Sequence, residues 1–164
     1  MKKGQIIIAK EKDIKELADF FWSYLQKNKS YISHGEIQMG VAKNANTLAK
    51  NGKVIWENYL ENKIKDKNSI VYKCINENSV IGFSIAYIST DEGYHFGQIC
   101  DILVDAAYRN LGIGDTLLNK NINWFKQKKI KDIYLESGRD NHHAHSYFNK
   151  RKFSLVSHVF KYSK

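Results

Sequence analysis

The 164-residue chain is 43% hydrophobic and 13% aromatic and carries a formal net charge of +9, with enough apolar side chains for one core in one domain over residues 1–164. It has no run of eighteen apolar residues, which excludes a membrane-spanning helix, and the apolar stretch near Met1 is too short for a signal peptide. The two cysteines, Cys74 and Cys100, lie in apolar strand-like runs, a pattern of reduced thiols in a cytoplasmic protein and of no metal site.

In chain order, residues 5–9 read as a first strand. Asp13 and Glu16 have the spacing of a capping box, and Ile14, Leu17, Ala18, Phe21 and Leu25 follow at helical spacing. Residues 34–51 and 53–65 read as two weaker helices separated by Gly52. Runs of β-branched and aromatic residues over 69–76 and 80–89, joined by Glu77-Asn-Ser79, predict a strand pair. A turn at Asp91-Glu-Gly93 leads into a central strand over 96–104. Ile113, Leu117, Leu118, Ile122 and Phe125 then mark a helix over 112–128. A strand over 132–136, a helix over 141–150 and one or two closing strands over 153–161 complete an α/β order with a mixed central sheet flanked by helices. Trp22, Trp56 and Trp124 sit at helical positions and read as packing, with a place in an acceptor pocket left open.

The junction of the central strand and the helix after it is the most informative stretch. Asp101-Ile-Leu-Val104 is followed by Arg109-x-x-Gly112-x-Gly114 at the helix start. Strand, glycine turn and helix N-terminus together can aim several N–H groups at a pyrophosphate. The Rossmann and P-loop patterns do not fit: Gly-x-Gly comes only at the end of the motif, and Gly114 is followed by Asp115-Thr116. The pattern resembles the acetyl-CoA-binding motif of the GCN5-related N-acetyltransferase (GNAT) family. Asn141-His-His-Ala144-His-Ser-Tyr147-Phe148, followed by Phe153, resembles the second cofactor-contacting helix of that family. The resemblance covers residues 80–161; the first third matches only in the order of its elements.

The resemblance implies the acyl-CoA N-acyltransferase fold and transfer of an acetyl group from acetyl-CoA to a primary amine of a small molecule, peptide or protein by direct attack on the thioester. It assigns the pantetheine arm to the backbone of Ile102, Leu103 and Val104, and the pyrophosphate to Arg109, Asn110, Leu111, Gly112, Ile113 and Gly114. Thr116 is a further phosphate donor, and Asn141 is a helix cap or a CoA contact. Several positions depart from the family pattern. Cys100 stands where many relatives have a glutamate, and Gln98 is no base. Phe148 holds the position of the family tyrosine that protonates the thiolate and is left as a wall of the CoA site. Tyr147, its neighbour, takes the acid role only if the helix is rotated or shifted, because consecutive helical residues point about 100° apart. Lys152 replaces a glycine before the closing strand.

Asp101, on the central strand, is the candidate base, its alternative being a structural carboxylate. His95 acts through water or is an exposed loop residue. Glu36, with His34 nearby, is an acceptor-specificity residue or part of a solvated helix face. Glu136 and Arg139 follow the fifth strand at its open end. His142, His143 and His145 lack a carboxylate partner at metal-site spacing, so no metal is expected. The clusters 63–67, 126–131 and 150–152 are basic. They read as solvated surface with a field that attracts CoA phosphates, the alternative being RNA as partner. The rival functions are an acyl-CoA-binding sensor that no longer catalyses and an acetyltransferase of aminoacyl-tRNA. No membrane partner is expected, and the chain is read as a monomer or homodimer.

Overall fold

The structure, a computed structural model, describes residues 4–90 and 93–162. In chain order the elements are β1 (Gln5–Ile8), α1 (Ile14–Lys27), α2 (His34–Met39), β2 (Ala42–Asn44), β3 (Thr47–Leu48), α3 (Gly52–Lys65), β4 (Ser69–Asn76), β5 (Ser79–Ser89), β6 (Phe96–Val104), α4 (Ile113–Gln127), β7 (Ile133–Leu135) and α5 (His142–Asn149). Five strands form one mixed sheet in the order β1-β4-β5-β6-β7. Neighbours from β1 to β6 are antiparallel, and β7 runs parallel to β6.

Alternation along the strands divides the core into two layers. Val71, Phe83 and Ile85 pack under Leu17, Phe21 and Leu25 of α1 and under Trp56 and Leu60 of α3. The intervening residues serve the other face, where Ala86 meets Leu118 and Phe125 of α4, and Cys74 meets Ile113 and Leu117. Trp56 is buried and stacks on Phe21 with ring centroids 4.3 Å apart, and Trp124 packs beside Phe125, so both are core residues. Among the described residues no helix is long and apolar enough to cross a membrane.

The sequence-based elements differ from the structure in four places. The helix expected over 34–51 is the short α2 followed by the hairpin β2–β3. Gly40 ends α2 in the left-handed conformation (φ 82°), and Val41 and Ala42 turn into the core. Gly52 is the first residue of α3 and no separator. The Asp13–Glu16 capping box is not made. Asp13 instead accepts from the Lys10 N–H and pairs with Lys73 at 2.9 Å, while Glu16 accepts from the Val80 N–H. The closing strands over 153–161 are also not formed, for that segment pairs with no strand among the described residues. The turn at Asp91-Glu-Gly93 lies partly outside the described residues.

A cleft where two parallel strands part

The cleft follows from a short pairing. β6 and β7 are hydrogen-bonded only from Gly97 opposite Ile133 to Ile99 opposite Leu135. Beyond that point the strands separate. The register between β5 and β6 also shifts here: Ile85 faces Asp101 and Ala86 faces Ile99, so Cys100 is the extra residue of a bulge. A bulge re-aims the side chains next to it, and the residues from Cys100 to Val104 are left without a partner strand on the β7 side. Between them and Glu136, Ser137 and Gly138 lies a cavity of about 250 Å³.

One end of the cavity is the glycine turn. Asn110 (φ 61°) and Gly112 (φ 78°) both adopt the left-handed conformation that bends the chain into a concave loop. A side chain at Gly112 would be strained for that reason. Among the described residues the N–H groups from Asn110 to Asp115 find no backbone acceptor, and Gly112 supplies no side-chain cap to α4. Unpaired donors at a helix N-terminus favour an anion. Asp115, an acid at this place, is neutralised. Its Oδ1 accepts a hydrogen bond from Arg151 Nε and another, 2.9 Å long, from the Tyr147 hydroxyl. The Arg151 guanidinium also stacks 3.6 Å above the Tyr147 ring. Arg109 ties the loop in place: Nε donates to the Val104 carbonyl and Nη2 to the Tyr31 hydroxyl.

The other end is acidic. Glu36, 5% exposed, accepts from the Ser33 N–H at 2.7 Å and so caps α2 while lining the cavity. It is no part of a solvated face. Burial raises its pKa, Ser33 opposes that, and the charge of Glu136 adds to it. Asp101 is raised well above the usual carboxylate range, first by burial and then by the charge of Glu36. Burial pushes the Cys100 thiol up to about 12, helped by Asp101, so it is no ready nucleophile. Tyr59 lies behind these groups, its hydroxyl held protonated by burial and by Cys100 and Asp101. His34 Nδ1 meets Glu136 Oε1 at 3.0 Å and links α2 to the end of β7. Gly138 allows a close approach there: a Cβ would lie 2.1 Å from the Ser30 carbonyl oxygen.

Most residues expected from sequence meet in this cleft: Asp101, Ile102, Leu103, Val104, Arg109, Asn110, Gly112, Ile113, Gly114, Asn141, Tyr147 and Phe148 all line it. Leu111 and Thr116 face a second, smaller cavity with Gly4 and Lys120, and the Thr116 hydroxyl donates to the Gly112 carbonyl. Asn141 caps α5 by accepting from the Ala144 N–H. Tyr147 sits at the turn, its hydroxyl 3.2 Å from where a Cβ on Gly114 would be, and burial, then the hydrogen bond to Asp115, raise its pKa. His145 Nε2 lies 3.0 Å from the Gly138 carbonyl, and among the described residues no three metal-ligating side chains converge. The sequence did not single out Tyr31, Ser33, Ser137, Gly138 or Arg151 as lining residues. Only Arg151 left a trace, as one of a basic triplet.

A free strand edge running from a bulge to a cradle of unpaired N–H groups is the geometry the glycine motif implied. The model of the Acetyltransferase (GNAT) family matches residues 40–153. The chain belongs to this family. As a GNAT chain it is 32% identical over 85 residues to the uncharacterized protein YxbD of Bacillus subtilis (strain 168), a match covering 51% of this chain and 50% of that protein. The aminoglycoside 6'-N-acetyltransferase AAC(6')-IG from Acinetobacter haemolyticus superposes with a TM-score of 0.72 at 16% identity, covering 98% of this chain and 97% of that one. A predicted acetyltransferase from Clostridium acetobutylicum, solved with acetyl-CoA, superposes with a TM-score of 0.71 at 18% identity, covering 97% and 95%. Both show the fold of this GNAT domain.

Proposed function

We propose that this GNAT acetyltransferase transfers the acetyl group of acetyl-CoA to a primary amine by direct attack on the thioester. The observation that carries the reading is the cleft with two unlike ends, unpaired N–H groups at Asn110 to Asp115 and carboxylates at Asp101 and Glu36. The donor end fits a pyrophosphate, since the N–H groups and helix dipole favour an anion and the one acid there is already paired. The open side of β6 from Cys100 to Val104 fits the amides of a pantetheine arm. That lays the thioester near the bulge.

Asp101 is then the base. A carboxylate whose pKa is raised is, once ionised, a stronger base than that of an ordinary aspartate. It takes the proton of the acceptor ammonium, directly or through water. The neutral amine attacks the carbonyl and strand N–H groups beside the bulge stabilise the oxyanion; as the intermediate collapses the C–S bond breaks, the nitrogen gives up its extra proton, and the thiolate takes it to leave as the free thiol. Glu36 and Glu136 attract a cationic acceptor to this end of the cleft. Tyr147, bonded to Asp115 at the cradle, serves the phosphate end. The free thiols Cys74 and Cys100 fit a reducing compartment such as the cytoplasm.

The test combines two measurements on one sample. Acetyl-CoA at about a hundredfold excess over its Kd should raise Tm by on the order of 5–10 °C. A panel of primary amines should then release free thiol. A shift without thiol release from any amine would favour the acyl-CoA sensor. No shift at saturating acetyl-CoA would overturn the reading of the cradle.

A further inference from the structure

The acetyl transfer proposed above leaves one proton unassigned. Phe148 stands where the family tyrosine that protonates the thiolate is expected, and the Tyr147 hydroxyl is held at the cradle by Asp115. The other hydroxyls along the cleft are taken as well. Tyr31 accepts from Arg109 Nη2, Tyr108 from the Asn76 amide and Ser33 Oγ from the Gly35 N–H. Tyr59, behind the cleft, bonds the Cys100 side chain. Ser137 is the exception. It lines the cleft, and its Oγ is buried with no hydrogen-bond partner among the described residues. A buried hydroxyl without a partner costs stability and calls for a reason.

Its place in the sheet supplies one. The parallel ladder sets Gly97 opposite Ile133, Gln98 opposite Tyr134 and Ile99 opposite Leu135. Carried two residues past the last pair, that register sets Ser137 across the opening from Asp101, and both line the cavity. A pantetheine arm along the open side of β6 brings its thioester to this mouth, between the candidate base on one side and Ser137 on the other. The backbone around Ser137 is fixed from both sides. Glu136 meets His34 at 3.0 Å, and Gly138 packs so closely on Ser30 that a Cβ would lie 2.1 Å from its carbonyl oxygen. Only the side chain is free to turn. Oγ is shielded from water in its present rotamer. Rotation about χ1 to another staggered position breaks no hydrogen bond, so the hydroxyl can swing toward a ligand at no such loss.

We propose that Ser137 is a catalytic residue of the acetyl transfer, the hydroxyl that relays a proton to the departing sulfur. The proposal rests on the acetyl-CoA reading given above. After the amine has attacked, the nitrogen of the tetrahedral intermediate carries one proton too many, and the sulfur needs one. As the carbonyl re-forms, the C–S bond breaks and its electron pair goes to sulfur. The Ser137 hydroxyl gives its proton to that pair, and Oγ takes the surplus proton from nitrogen. The products are the amide and the free thiol, and the serine ends as it began. A neutral hydroxyl suits this exchange because it both donates and accepts. Asp101 and Ser137 thus divide the work. The carboxylate frees the amine before attack, and the hydroxyl serves the leaving group afterwards.

The test uses the full chain and reads binding, sulfur and turnover separately. Ser137→Ala should keep both the Tm and its rise with acetyl-CoA, because the hydroxyl bonds nothing in the fold and lies outside the cradle. CoA then probes the sulfur without any acceptor. The ultraviolet difference between the complexes with CoA and with its desulfo analogue, followed against pH, gives the pKa of the bound thiol. A hydroxyl that donates to the thiolate lowers that pKa, so Ser137→Ala should weaken the acidity of the bound thiol by about tenfold or more. With an amine that releases thiol, kcat should fall by about 10²-fold or more at a nearly unchanged acetyl-CoA KM, and Ser137→Thr, which keeps a hydroxyl, should recover part of the loss. An unchanged thiol pKa in Ser137→Ala would overturn the proposal and leave the acetyl-CoA reading standing. So would an unchanged kcat. A lower Tm with a raised KM and the same thiol pKa would make Ser137 a packing residue. No response of the parent protein to CoA would remove the cradle reading and the proposal together.

Discussion

Asp101 and Glu36 line the same cleft, and each holds its proton more tightly than an ordinary carboxylic acid. The consequence is a pH dependence with a definite sign. If Asp101 accepts the proton, kcat/KM rises as Asp101 ionises, and its acid limb lies above the usual carboxylate range. Glu36→Gln removes the like charge while keeping an oxygen to cap α2, so the limb should move to lower pH. A limb that stays in place would assign the titration to another group. Asp101→Asn should cost about 10²- to 10⁴-fold in rate with a nearly unchanged acetyl-CoA KM, the usual scale for losing a general base. Lys152, in the left-handed conformation (φ 69°), yields a second prediction at this scale. A left-handed residue with a Cβ is strained by about 1–2 kcal/mol, and glycine offsets part of that gain through unfolded-state entropy. Lys152→Gly should therefore stabilise the fold by about 1 kcal/mol, read as a Tm rise of about 2–4 °C. A lower Tm would mean that the lysine side chain contributes more than the backbone strain removes.

At the scale of elements, the site depends on which strands pair and how far. The central strand, the glycine turn and α4 were legible because they are contiguous: an apolar run, a turn and a helical stripe follow one another between Phe96 and Gln127. The hairpin β2–β3 was not, because strands of three and two residues carry no usable periodicity. The helix start at Asp13 was legible, but the role of its carboxylate was not, because its partner lies 60 positions away. The Asp13–Lys73 pair binds the chain entering α1 to the middle of β4, with both side chains about nine-tenths buried. Burial pushes the Asp13 pKa up, but the Lys10 N–H and Lys73 outweigh it and hold the carboxyl below its usual range. Removing one partner from such a pair leaves a buried charge. Lys73→Met should thus destabilise the protein by about 3–5 kcal/mol, measured by urea unfolding. Adding Asp13→Asn should recover much of that loss, and a double variant no better than the single one would show that the lysine stem, rather than the charge, matters.

The whole molecule adds a field. With a net charge of +9, the protein should draw in the phosphate charges of CoA, so KM for acetyl-CoA should rise with added salt while kcat changes little. A KM independent of salt would leave the basic clusters to another partner, and RNA retained steeply as salt is lowered would name it. From the linear order of residues alone came the α/β layering, the family and the cradle, because these rest on local patterns: alternation, helical spacing and glycines at a strand-to-helix turn. Folding decided the rest, since it depends on distance in space rather than along the chain. The acidic end of the cleft needs Glu36, Asp101 and Glu136, from α2, β6 and the end of β7, which meet only because the β6–β7 pairing stops at Ile99. Tyr147 stood beside the motif position held by Phe148 and was a candidate acid only if the helix were rotated or shifted; where its hydroxyl goes, to Asp115 at the cradle, is set by how α5 docks. The closing strand has every local mark of a strand. A strand also needs a partner edge, and no local pattern says which edge that is.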